Sequence, residues 1–96
     1  MVKAYDTSWN PLTAVQLAAL KAGEKVRFTI SGTPASDIDK AKFAINGTET
    51  AEITTKKTGT DEYYYEYTIP SGVTSFTVTA KLHSISLGIW FKINEK

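Results

Sequence analysis

The chain has no cysteine, a single histidine and no apolar run near the roughly 18 residues that a membrane-spanning helix requires. Each absence removes a class of function. Without cysteine there is no disulfide, no thiolate metal site and no thiol nucleophile. A hydrolytic triad would have only His83 as its base, and His83 falls in a strand alternation, where it reads as a solvated residue. No glycine-rich strand-to-helix turn occurs, so there is no phosphate loop. Neither sign of charge dominates: the net charge is +1, whereas binding through phosphate neutralisation needs a basic stripe. Nucleic acid is therefore not an expected partner, nor is membrane insertion. Residues 1–6 lack the apolar stretch of a signal peptide.

What is present suits one globular domain over residues 1–96, with 42% apolar and 22% charged residues. There is no linker, repeat or low-complexity tract. Only one helix is signalled, near residues 14–21. Thr13 is placed as its N-cap, with Gln16 three residues on to complete a capping box. Leu12 and Leu17 take the staple positions, and Gly23 is expected to close the helix. Two turns are marginal alone, so Val15, Leu17 and Leu20 are expected to cap one end of a larger core.

From Glu24 onward the apolar period is two. Val26, Phe28 and Ile30 alternate with Lys25, Arg27 and Thr29. Ala41, Phe43 and Ile45 alternate with Lys40, Lys42 and Ala44. Tyr63, Tyr65, Tyr67 and Ile69 share a face opposite Glu62, Tyr64, Glu66 and Thr68. Phe76, Val78, Ala80 and Leu82 follow, and then Ile85, Leu87, Ile89, Phe91 and Ile93, out of phase with Trp90, Lys92 and Asn94. With residues 2–6 as an edge strand, the count is about seven short strands whose connections are too short for helical crossovers. The fold class is therefore all-β, a two-sheet antiparallel sandwich. The shared phase predicts that Phe28, Ile30, Phe43, Tyr65, Tyr67, Val78, Ala80, Ile89 and Phe91 are buried.

Asn46-Gly47 is a hairpin signal whose register can be argued. A two-residue turn pairs Ile45 with Thr48 and puts Thr50 and Glu52 on the core face. A three-residue loop puts Ala51 and Ile53 there instead. Burying Ile53 is better than burying Glu52, so the longer loop is expected, with Gly47 left-handed in a bulge.

Three segments carry a resemblance. Residues 22–30, Ala-Gly-Glu-Lys-Val-Arg-Phe-Thr-Ile, resemble the second strand of bacterial immunoglobulin-like or fibronectin-III-like modules. Residues 61–70 followed by Gly72 resemble the tyrosine-rich strand and Pro-x-Gly turn of such modules, and residues 75–82 resemble the strand after it. The chain departs from the pattern in its helix, in having no tryptophan on residues 40–45, and in having no cysteine pair, so it is not of the antibody type. The resemblance implies an immunoglobulin-like sandwich from an extracellular or cell-surface protein: a spacer, an adhesion unit or an accessory to a carbohydrase. It also implies a strand assignment, with residues 24–31, 49–55 and 61–69 in one sheet and residues 40–45, 75–83 and 85–94 in the other.

Candidate sites are few. Trp90, Tyr64 and Trp9 are aromatics outside the core phase, and an exposed indole can stack on a sugar ring. Each can equally cover a sheet edge, since single exposed aromatics are ordinary. Of the three, Trp90 is the better platform: it is expected near Thr77, Thr79, Lys81 and His83, with Lys42 and Ala44 in reach, and the small threonines and Gly88 would leave its ring open. Asp37, Asp39 and Asp61 lie in turns and offer hard oxygen ligands, but their spacing matches no calcium loop, and aspartate is a common turn residue. Glu62 and Glu66 flank Tyr64 on an open face, without the cleft that a glycosidase pair needs. Asn46-Gly47-Thr48 matches a glycosylation sequon, although the turn already accounts for it. The expectation is a non-catalytic, monomeric structural or interaction module that needs no cofactor or metal. Its partners would be neighbouring domains or a surface protein, and the alternative is a carbohydrate-binding module that takes polysaccharide.

Overall fold

The computed structural model describes residues 2–72, 75 and 77–93. Seven strands form two antiparallel sheets: β1 (Lys3–Tyr5), β2 (Lys25–Ile30), β3 (Ile38–Ile45), β4 (Thr48–Glu49), β5 (Tyr63–Thr68), β6 (Val78–Ser84) and β7 (Ile89–Ile93). The first sheet has the order β1-β2-β5 and the second β4-β3-β6-β7. Their inner faces meet in one core of Val26, Phe28, Ile30 and Tyr63 against Ile38, Ala41, Phe43, Ile45, Ala80 and Leu82. The fold is thus a β-sandwich, as the alternation predicts. Two contacts align the sheets. The Tyr63 hydroxyl donates to the Ile38 carbonyl at 3.1 Å, and the Phe43 and Tyr65 rings stack 6.5 Å apart. These contacts set β5 over β3, which leaves β1 on the side of β7.

The helix forms where expected but is shorter. It spans Ala14–Ala18, and the Thr13–Gln16 capping box is made in both directions. It ends at Ala19 rather than at Gly23. Gly23 instead takes φ +88° in the turn into β2, where its amide donates to Ile69 O. Leu12, Leu17 and Leu20 pack against the core, whereas Val15 is 79% exposed and caps nothing.

The Asn46 turn differs from expectation. Asn46 and Gly47 both have positive φ, 50° and 84°, as a two-residue type I′ turn requires, and Ile45 pairs with Thr48. The extra residue lies further along. Thr50 N donates to Phe43 O, whereas Ala41 pairs with Ile53, so three steps on one strand oppose two on the other. Thr50 makes this bulge possible, because its hydroxyl accepts the Phe43 amide at 3.2 Å in place of a ladder carbonyl. Ile53 reaches the core as expected, but through a bulge at residues 50–52 and not through a longer loop.

The strand assignment needs one correction. Residues 48–53 pair with β3 and so belong to the second sheet, not the first. Only from Thr55 does the chain join the first sheet, where Tyr64 N donates to Thr55 O and Lys56 bridges Tyr63. The segment therefore crosses between the sheets within two residues of Ile53.

The last hairpin holds the main correction to the core. Residues 85–88 form a turn, not a strand, and β7 begins at Ile89. Ile89 and Phe91 do point to the inner side, opposite Ser84 and Leu82, but they are 52% and 37% exposed. The reason is coverage. The strand on their side of the other sheet, β1, is three residues long, and its inward residue is only Ala4, paired with Phe28. Tyr65, Tyr67 and Val78 are half-buried against the core, while Phe28, Ile30, Phe43 and Ala80 are buried as expected. Phe76 and Asn94, which the alternation included, lie outside the described residues.

Candidate functional site

The three candidate aromatics fall into two separate clusters on opposite outer faces. On the first sheet, Trp9 sits in a tight turn that joins β1 to Pro11. Its φ is 64°, a left-handed conformation uncommon for a bulky residue. Asp6 holds it there. Asp6 Oδ1 accepts from the amides of Ser8 and Asn10 at 2.8 and 2.9 Å, and Oδ2 accepts from Asn10 Nδ2 at 3.0 Å. The Asn10 amide, then its side chain, and the Ser8 amide hold the Asp6 carboxyl below its ordinary pKa. The Trp9 ring meets Tyr64 and Tyr5 edge-on at 5.1 and 5.6 Å, and the Arg27 guanidinium lies 4.6 Å from its centre. Arg27 in turn binds Glu66 at 3.0 Å, which lowers the Glu66 pKa.

This cluster explains one departure from the alternation. Thr29, expected on the wet face, is fully buried. Its hydroxyl donates to Glu62 at 2.7 Å, and the Tyr5 hydroxyl reaches the same oxygen at 3.4 Å. Trp9 and Tyr64 thus clasp the N-terminal hairpin onto the sheet, and their rings are occupied by their neighbours.

Trp90 lies on the outer face of the second sheet, paired with His83. Of its expected neighbours His83 and Lys42 are present, whereas the threonines are not beside it, because Trp90 pairs with His83, four positions from Thr79. The ring has Lys42 Nζ at 4.8 Å, Lys40 Nζ at 5.7 Å and the His83 imidazole edge-on at 5.2 Å. His83 Nδ1 is 2.7 Å from Asp39 Oδ1. Lys40 pairs with Glu52 at 3.3 Å, and Lys81 with Glu49 at 2.6 Å, which lowers the Glu49 pKa. Trp90 is half-buried, with two lysines close to its ring.

The aspartates are likewise engaged in structure. Asp37 Oδ2 accepts from Ser84 Oγ at 2.6 Å, and Oδ1 accepts from Ser86 N at 2.9 Å. These two bonds, the Ser84 hydroxyl first, keep the Asp37 carboxyl below its ordinary pKa. Asp61 lies near Lys56, at 3.9 Å. Among the described residues no three potential metal ligands come together.

Among the described residues, an exposed apolar cluster lies where alternation had placed a strand. Ile85 and Leu87 sit on the β6–β7 turn, 54% and 70% exposed, and continue into Ile89. The turn is pinned on every side. Ile85 N donates to Asp37 O, Ser86 N to the Asp37 carboxylate, Leu87 N to Ser84 Oγ, and Gly88 N to Ser84 O. Gly88 closes it at φ +66°. The spacing Ser84-x-Ser86-x-Gly88 is the sequence signal for this turn, since serine and glycine are turn residues even between apolar neighbours. No signal linked Asp37 to it, because the two meet only in the folded sandwich.

No family model, curated protein or solved structure matches the chain.

Proposed function

We propose that the chain is a non-catalytic, immunoglobulin-like interaction module that docks on another protein, or on a neighbouring domain of its own chain, through the apolar tip of the β6–β7 hairpin. The observation that carries this reading is the rigid exposure of Ile85 and Leu87. Apolar side chains on a loose loop can fold back on themselves. Here five hydrogen bonds centred on Asp37 and Ser84 hold the backbone so that they stay in water. A preorganised apolar tip loses little conformational freedom when a partner covers it. The strand order, three strands against four with β4 beside β3, supports an immunoglobulin-like module. An extracellular or cell-surface setting rests on the resemblance of residues 22–30, 61–70 and 75–82 to bacterial modules of that kind.

Against the sugar-binding alternative stands the crowding of all three aromatics by cations or tyrosines. Titrating the isotope-labelled chain with a panel of soluble polysaccharides separates the readings. No shift at Trp90, Tyr64 or Trp9 is expected, and saturable shifts centred there would replace the docking reading by sugar binding. A photoreactive residue at position 87, introduced in the source organism, is expected to give a discrete protein adduct that Ile85→Ser abolishes. The same residue at position 15, equally exposed but outside the tip, is expected to give none. Equal labelling at both positions refutes the tip as a docking site.

A further inference from the structure

The outer edge of β7 invites a second reading that goes beyond docking at the tip. β7 ends the second sheet, with no strand beyond it among the described residues. The other outer strands are better protected: β1 and β4 are three and two residues long, and β5 is flanked at its start by residues 55–57. β7 runs five residues, Ile-Trp-Phe-Lys-Ile, and its ladder with β6 has no bulge. It contains no proline and one charge, Lys92. Edges of this length usually carry such blocking features, because unpaired backbone groups otherwise recruit another strand.

The sequence of β7 matches itself. Antiparallel pairing about a two-fold axis at Phe91 sets Phe91 opposite Phe91 and Ile89 opposite Ile93 on the inner face, and Trp90 opposite Lys92 on the outer face. The inner pairs would cover the two side chains that the short β1 leaves uncovered, Ile89 and Phe91. The outer pair sets the aliphatic stem of Lys92 beside a Trp90 ring that already has Lys42 Nζ at 4.8 Å. Within its own subunit Lys92 lies opposite Lys81, whose charge is taken by Glu49 at 2.6 Å, so Lys92 has a like charge beside it. A net charge of +1 opposes self-association only weakly.

We propose that β7 pairs with β7 of a second copy of this chain, antiparallel about Phe91, to make one continuous eight-stranded sheet. Two five-residue edges form a contact smaller than that of a permanent dimer, so the association is weak and depends on concentration. Ile85 and Leu87 remain outside it, and docking at the tip is independent of it.

Because the chain has no cysteine, a single introduced thiol reports the register. Directly opposed residues have Cα atoms about 4.5–5.5 Å apart, within disulfide range. In this register two copies of residue 89 are roughly 14 Å apart. Phe91→Cys in the full chain, under a glutathione redox buffer, is expected to form a disulfide-linked dimer about tenfold faster than Ile89→Cys or Val15→Cys alone. An equimolar mixture of Ile89→Cys and Ile93→Cys chains is expected to give the mixed dimer in preference to either homodimer, and this arm stands if Phe91→Cys does not fold. Equal rates at positions 91, 89 and 15, or a statistical mixture in the second arm, would overturn the proposal. So would sedimentation of the unmodified chain as a monomer at millimolar concentration.

Discussion

Asp37 and Ser84 stand 47 positions apart in the chain, yet the Ser84 hydroxyl donates to the Asp37 carboxylate at 2.6 Å. This bond ties the β2–β3 connection to the β6–β7 turn. It also makes the turn sensitive to acid. The Asp37 carboxyl is held below its unfolded value of about 3.9. A group whose pKa is lowered on folding contributes stability that is fully present above the unfolded pKa and is lost as pH falls through the folded one. Asp6 behaves in the same way at the Trp9 turn. The stability of the chain is expected to be flat above about pH 5 and to fall below about pH 4. Asp37→Asn should reduce that fall and loosen the turn. Urea midpoints across this pH range, with amide exchange at Ser86 and Leu87, check both effects. An unchanged acid limb would remove Asp37 from the account.

Burial separates two residues that share one phase. Phe43 is fully buried between the sheets, whereas Ile89 is half-exposed on an edge. Phe43→Ala should cost about 3–5 kcal/mol. Ile89→Ala should cost under about 1 kcal/mol. Denaturant titration of both variants under dilute conditions decides the matter, and similar losses would mean that β7 is covered after all.

The helix provides a second contrast. The hydroxyl of Thr13 accepts the Gln16 amide at 3.1 Å, and the Gln16 side chain accepts the Thr13 amide at 2.9 Å. Thr13→Ala should cost roughly 1 kcal/mol. Val15→Ala, at a site that packs on nothing, should stay within about 0.5 kcal/mol of the parent. A larger loss at Val15 than at Thr13 would contradict the helix orientation.

Trp90 fluorescence can be isolated in a Trp9→Phe chain. The ring is shielded in part by Lys42 and His83, so acrylamide quenching should fall between that of a free indole and a buried one. Lys42→Ala should raise it measurably. Quenching as fast as that of free tryptophan in the parent would restore Trp90 as an open platform.

Local signals predicted the elements well, because their causes are local. The Thr13–Gln16 box, the left-handed Gly47 and most of the period-two strands each depend on residues a few positions apart, and these formed, although the loop at Asn46 is shorter than expected and residues 85–88 turn. The seven-strand sandwich follows from those runs and from connections too short for anything but antiparallel pairing.

What alternation does not contain is which side chains have something above them. Ile89 and Phe91 have the phase of core residues, but phase determines only the side of the sheet, and a short β1 with Ala4 facing inward leaves that side open. Thr29 is the mirror case, a wet-face residue buried because Glu62, Tyr5 and the Trp9 hairpin fold over it. The choice between two registers at Asn46 looked like an alternative in the loop, yet a hydroxyl at Thr50 let the chain satisfy both, with a tight turn and a later bulge. The surroundings of Trp90 were set by which residues cross-strand pairing delivers: His83 and Lys42, which were expected, and Lys40, but not the threonines. The sequence alone therefore determined the elements and the faces of the strands. Coverage and neighbours were decided by tertiary structure, because they depend on the lengths and alignment of strands far apart in the chain.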